Sequence, residues 1–219
     1  MYHLINGGIS KLGNMFHTGA TAGLDAKGGT CGNLSCKGCY AQQGNFVFPN
    51  VKAYLATMAD GFRNHLDDVF KDFDAQLNTV KNAIIRINHA GDFVSFEHFL
   101  KWVDLATVHS DCTFYFYTKK YHFIREYYSL GVELPANMFM CVSIWGGLGV
   151  KEWHEFKTHR NVNAFVVDLD TNYVCKDWLR CPSYKLENGK VVRDKEHNCA
   201  DCKMCFTGSR KVIHVFKHK

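Results

Sequence analysis

Cys31, Cys36 and Cys39 follow one another with the spacing C-x4-C-x2-C, with Gly32 and Gly38 between them. Thiolates so spaced can converge on one soft metal centre, and glycine lets the loop turn tightly around it. A tetrahedral zinc would need a fourth ligand close by. The next cysteine is Cys112 and the next histidine His65. Three clustered thiolates without a local fourth suit a [4Fe–4S] cluster with one special iron, either open or ligated from far along the chain.

A second group comes late: Cys181-Pro182, then Cys199, Cys202 and Cys205 as a C-x2-C-x2-C run. Such a run resembles the core of a bacterial ferredoxin ligand set, although here the Cys-Pro lies before the run. These four could close a second cluster, bind zinc, or lend one thiolate to the early trio. Cys175 is ambiguous, and Cys112 and Cys141 sit inside apolar runs and read as core residues.

The elements that must position these groups follow from length and periodicity. At 219 residues, with 17 Phe and 10 Tyr, one globular unit with an ample core is expected. No apolar run is long enough to span a bilayer, and the first residues lack the pattern of a signal peptide, so a cytoplasmic protein with no membrane partner is expected. Ten cysteines in that setting point to metal rather than disulfides. The formal charge of +5 hints weakly at an anionic partner.

Residues 1–30 are Gly-rich loop with at most a short strand. Residues 51–77 carry apolar residues at helical spacing, as one long helix or two broken near Gly61, with Pro49 or Asn50 at the start. Strands over 83–88, 112–118, 138–144 and 164–169 then alternate with helices after Ser95, from Tyr121 to a stop at Gly131, and over 150–159. Near-continuous apolar strands alternating with helices are the signature of a parallel sheet covered by helices. A closing strand is expected over 211–216. The expected fold is α/β: a partial, open parallel βα barrel of about five to six strands, since a full eightfold barrel needs about 250 residues. Residues 1–170 would form it, and residues 171–219 a cysteine-rich extension packed on it.

In such folds the chemistry sits at the carboxyl ends of the strands. His89-Ala90-Gly91-Asp92 is one such end, readable either as a surface for a polar ligand or as an ordinary turn capped by Asp92 or Ser95. Arg86 lies within a strand and calls for a partner, Asp92 or a ligand phosphate. Asp168 and Asp170 read as structural. Lys119, Lys120, Tyr121 and His122 form a basic, aromatic cluster, and Arg210 and Lys211 open a basic tail. Both are candidate nucleic-acid contacts through phosphates and stacking, with little sequence preference because no groove-reading motif is present.

The segments Thr-Cys…Cys-Lys-Gly-Cys-Tyr-Ala, Phe-Pro-Asn-Val, Ile-Asn-His-Ala-Gly-Asp-Phe, Phe-Tyr-Thr-Lys and the late Cys-Pro…Cys-x2-Cys-x2-Cys-Phe resemble a family of phage-encoded proteins of the gene-product-88 type, from about Thr30 to Phe206. That family is in turn similar to the radical S-adenosylmethionine (SAM) superfamily. The resemblance implies a partial βα barrel with a cluster on Cys31, Cys36 and Cys39. It also implies SAM contacts at Tyr40, Gly91 and Asp92, and a place in the cytoplasm of an infected bacterium. The spacing here is one residue longer than that superfamily's C-x3-C-x2-C, and Asp92 stands where its Gly-Gly-Glu has Glu.

Three functions are therefore expected to compete: an iron–sulfur protein that binds or acts on nucleic acid, with metal ligands Cys31, Cys36, Cys39, Cys181, Cys199, Cys202 and Cys205; an active radical SAM enzyme; and a zinc-stapled binding module.

Overall fold

The computed structural model describes residues 1–6, 15–23, 27–32, 39–145, 148–168, 178–188, 190–194, 196–197 and 199–216. The expected Asp170, Cys36 and Cys175 lie outside them.

The described strands are β1 (Ile5–Asn6), β2 (Phe16–His17), β3 (Ile84–Ile87), β4 (Thr113–Thr118), β5 (Met138–Trp145), β6 (Val162–Asp168), β7 (Leu179–Arg180), β8 (Tyr184–Glu187), β9 (Lys190–Arg193) and β10 (Val212–Phe216). Eight of them form one sheet in the order β1-β2-β3-β4-β5-β6-β10-β7. Every pair from β2 to β7 is parallel, and β1 is antiparallel to β2. Seven parallel strands in an open sheet replace the expected five or six. The surplus comes from β2 and β7, two-residue strands too short for any sequence period to register. The closing strand is β10, and it inserts between β6 and β7 rather than at an edge.

Five helices follow the strands: α1 (Pro49–Asn64), α2 (Leu66–Leu77), α3 (Phe96–Val108), α4 (Tyr121–Ser129) and α5 (Val150–Phe156). Pro49 sits in the first turn of α1, where its missing N–H costs nothing. The break between α1 and α2 is at His65 (φ −139°, ψ 40°), not at Gly61. Gly61 stays helical because the space beside it is taken by the Tyr2 ring and the Val69 side chain. Ser95 caps α3, its Oγ accepting from the His98 N–H at 3.0 Å. Gly131 ends α4 with φ +74°.

Strand alternation divides the chain between two faces. Ile85 and Ile87, Phe114 and Phe116, Met140 and Val142, and Ala164 and Val166 point one way and share a single core with Phe62, Phe73, Trp102, Ile124 and Phe156 of the five helices. All five helices thus cover one face. The opposite face carries Arg86, Tyr115, Tyr117, Cys141 and Phe165 by the same register. It is covered by the late segment, whose single helical turn α6 (Cys199–Cys202) and short turn Met204–Phe206 lie on Tyr115.

His98 is the polar residue of the helical core. It is fully buried, stacks on Phe62 at 3.9 Å and accepts from the Trp102 indole at 3.0 Å. Burial pushes its pKa down from 6.5 to about 3, so it folds neutral. The unfolded chain then binds protons that the folded chain does not. Stability is complete above about pH 6.5 and falls as pH drops toward 3, by up to about 1.4 kcal/mol per pH unit for such a group. Denaturant titrations at pH 7, 6, 5 and 4 should show this loss, and His98→Leu should flatten the slope. An unchanged slope would show that His98 does not carry it.

Candidate metal centre

The early cysteine loop is tied to the end of β3. The Thr30 hydroxyl donates to the Thr21 carbonyl (3.1 Å) and accepts from the Asp92 N–H (2.9 Å). The Gly23 and Cys31 backbones bond at 2.9 Å, and the Gly23 N–H reaches the Cys31 Sγ at 3.4 Å. Cys39 packs beside Ala41, Leu55 and Ala90. Tyr40, next to it, donates its hydroxyl to the His89 carbonyl and accepts from the Arg86 guanidinium at 3.2 Å. Cys31 and Cys39 therefore stand near the carboxyl end of β3. Two of the loop's three thiols are described.

Asp92 and Gly91 serve this docking. The Asp92 carboxylate is buried and accepts from the Phe93 N–H (2.9 Å), the Thr118 hydroxyl (2.8 Å) and the Lys119 N–H (2.8 Å). Burial pushes its pKa up, and those three donors pull it back. Asp92 is thus a clamp between the ends of β3 and β4 and does not pair with Arg86. At Gly91, with φ +75°, an added Cβ would run into the Thr30 hydroxyl and the Ala20 carbonyl.

Beside them, His17 and His89 meet Nδ1 to Nδ1 at 3.1 Å, and His89 Nδ1 lies 2.7 Å from the Thr18 carbonyl. Burial, and then His17 and Arg86, push the His89 pKa down to about 3.

The late cysteines converge on the face opposite α1 to α5. Cys181, Cys199, Cys202 and Cys205 all line one cavity, walled by Tyr115, Tyr117, Met204, Phe206 and Ile213. Among the described residues no group of three or more Cys, His, Asp or Glu side chains is placed to hold a metal ion. Cys141, read from the sequence as core, is buried on this same face, its Sγ 3.5 Å from the Cys205 carbonyl. Cys112 lies on the helical side, in the core. Contact with Cys141 comes first among the causes that lower the Cys205 thiol pKa. Tyr117, Arg86 and Lys211 add to it, against burial.

Arg86 stands between the two cysteine groups. Its guanidinium lies 5.1 Å from the centre of the Tyr117 ring and bonds Tyr40. Burial works against its charge, but Tyr40, Tyr115, Tyr117 and Cys199 outweigh that and hold its pKa above the ordinary arginine value. The sequence reads Cys141 as core and Tyr115 and Tyr117 as stacking faces beside the Lys119–His122 cluster; the strand register places all three on the face of Arg86.

The basic candidates are not brought together. Lys120 and Tyr121 are buried, Tyr121 donating to the Ser143 carbonyl at 2.6 Å and Lys120 Nζ lying 5.8 Å from the Phe123 ring centre. Lys119 Nζ lies 5.4 Å from the ring centre of Trp145, while His122 is exposed. Arg210 and Lys211 precede β10 and so sit at the opposite end of the sheet, Lys211 donating to the Thr207 carbonyl at 2.7 Å.

An open α/β protein with cysteines gathered on the sheet face opposite α1 to α5 is the class this geometry defines. The chain belongs to the Gene product 88 family, whose sequence pattern matches residues 6–208. No curated protein and no solved structure matches it.

Gly91→Ala should cost at least about 1 kcal/mol, from a left-handed backbone that alanine resists and from displacing Thr30. Alkylation of Cys31 should quicken in this variant if the Thr30 contact holds the loop. A wild-type melting temperature and wild-type Cys31 reactivity would show that the loop is held otherwise.

Proposed function

We propose that this chain is an iron–sulfur protein whose late cysteines hold a metal cluster on the face of a partial βα barrel opposite α1 to α5. The observation that carries the reading is the common cavity of Cys181, Cys199, Cys202 and Cys205. Cys199, Cys202 and Cys205 come from one run at near-helical spacing, and the fold brings Cys181 to them from an earlier stretch. The donor chemistry fits: four thiols suit iron–sulfur clusters and zinc and little else. When bound, the cluster supplies one-electron redox chemistry. Cys181, Cys199, Cys202 and Cys205 would hold it, Tyr115, Phe206 and Ile213 would shield it, and Arg86 would stand nearby.

The early Cys31, Cys36 and Cys39 would hold a second, three-thiolate centre at the carboxyl end of the sheet, where a SAM-cleaving cluster belongs in the superfamily the sequence resembles. The hydrogen bonds of Asp92 argue for a weaker form of that analogy. Its carboxylate already accepts three donors from the chain, so a SAM amino group would have to compete for it.

Protein isolated without oxygen should be brown, with iron and sulfide in equal amounts. Cys181→Ser, Cys199→Ser, Cys202→Ser and Cys205→Ser should each lose iron and thermal stability together, since metal binding is coupled to folding. Cys112→Ser should keep its iron. Colourless wild-type protein carrying only zinc would overturn the cluster and leave the zinc-stapled form.

A further inference from the structure

A guanidinium half withdrawn from water, as that of Arg86 is, loses solvation that an opposite charge or a full set of acceptors must replace. Arg86 has neither among the described residues. Its Nε is sealed from solvent and has no hydrogen-bond partner. Its bonded partner is the Tyr40 hydroxyl and its stacked partner is the Tyr117 ring. Phenols are neutral at physiological pH. The one carboxylate the sequence offered, Asp92, is committed to Thr118, Phe93 and Lys119. The Tyr117 ring on which the guanidinium stacks lines the cavity of the four late cysteines, and the Arg86 charge acts on Cys199, Cys205 and Cys141. Cys199 and Cys205 belong to the same packed group as Tyr115 and Tyr117.

We propose that Arg86 is the counter-charge of the late cysteine centre, a fixed cation that favours an anionic, thiolate-ligated cluster and raises its reduction potential. The inference rests on the metal reading above and assigns that site a charge requirement. A cluster held by four thiolates is anionic and becomes more so on reduction. A cation held beside it therefore stabilises the reduced form more than the oxidised one, because attraction grows with charge and is less screened where the cation is half withdrawn from water. Net charge and surroundings are among the levers that set cluster potentials. Arg86 acts through the thiolates without ligating iron, which makes it a positioning residue. Its strand fixes where the side chain leaves the sheet: β3 is paired on both sides, with Arg86 opposite His17 of β2 and Tyr115 of β4.

The test compares wild type with Arg86→Met, Arg86→Gln and Arg86→Lys, all isolated without oxygen. Iron and sulfide are counted and the midpoint potential is read by optical redox titration. The neutral variants should keep wild-type iron but be harder to reduce. The shift expected is at least tenfold in the ratio of reduced to oxidised protein at a fixed potential, about 59 mV for one electron. Arg86→Lys should recover most of it. Loss of iron from folded neutral variants, with iron kept by Arg86→Lys, would support the same role expressed as affinity. If Arg86→Met does not fold, Arg86→Gln, whose amide can still bond the Tyr40 hydroxyl, is read in its place. Neutral variants with full iron and a wild-type potential would overturn the inference and leave the metal reading standing. Wild-type protein without iron would overturn both.

Discussion

The structure depends on a sheet whose helices α1 to α5 all lie on one side. Strand alternation sends half the side chains of β3 to β6 into that helical core and the other half to a face that none of these five helices covers. An uncovered parallel sheet would expose large apolar area, so something else in the chain must close it. That is the late segment, which lays Phe206 on Tyr115 and its cysteines beside Tyr117. A single helical turn and a short 3-10 turn bury little apolar surface of their own. A metal bound by their thiols would supply the ordering that so small a segment cannot get from packing.

The inner face is also where the polar residues of the strands have been placed. Arg86, Tyr115, Tyr117, Cys141 and Asn163 would each be out of place among the phenylalanines opposite. Asn163 shows the ordinary solution: its Oδ1 accepts from the Lys211 N–H at 2.9 Å and its amide reaches the Gly208 carbonyl. Arg86 has no such solution among the described residues, and that contrast marks it. At the strand ends, Asp92 and Thr30 settle their polar groups on the backbone of neighbouring loops. The carboxyl edge of the sheet is thereby rigid, and Cys31 and Cys39 stand near it.

Much of the fold was legible in the sequence because the central elements are long enough to show a period. β3 to β6 and α1 to α5 stand where alternation and helical spacing put them, and Ser95 caps where a serine before an apolar run should. The edges were not legible. β2 and β7 have two residues each, and no period can be read from two residues. The β8–β9 hairpin was missed although Asn188-Gly189 lies between its strands, a turn signal obscured by the polar, cysteine-rich composition around it. The site was legible in its ligand types and not in its company. Arg86 was visible as a misplaced charge, but the obvious partner, Asp92, is drawn away by Thr118, which is distant in sequence. Cys141 looked like core because it is core in burial; only the register of β5 reveals which face it serves. In the basic cluster Lys120 and Tyr121 are amphipathic and buried, which their residue types alone do not reveal.

The claim that four late cysteines share one metal-bearing space is most directly tested by mapping thiol alkylation by mass spectrometry before and after chelation. The account predicts that Cys181, Cys199, Cys202 and Cys205 are protected together in the protein isolated without oxygen and become reactive together when the metal is removed. Four cysteines that react at unrelated rates, unchanged by the chelator, would contradict it.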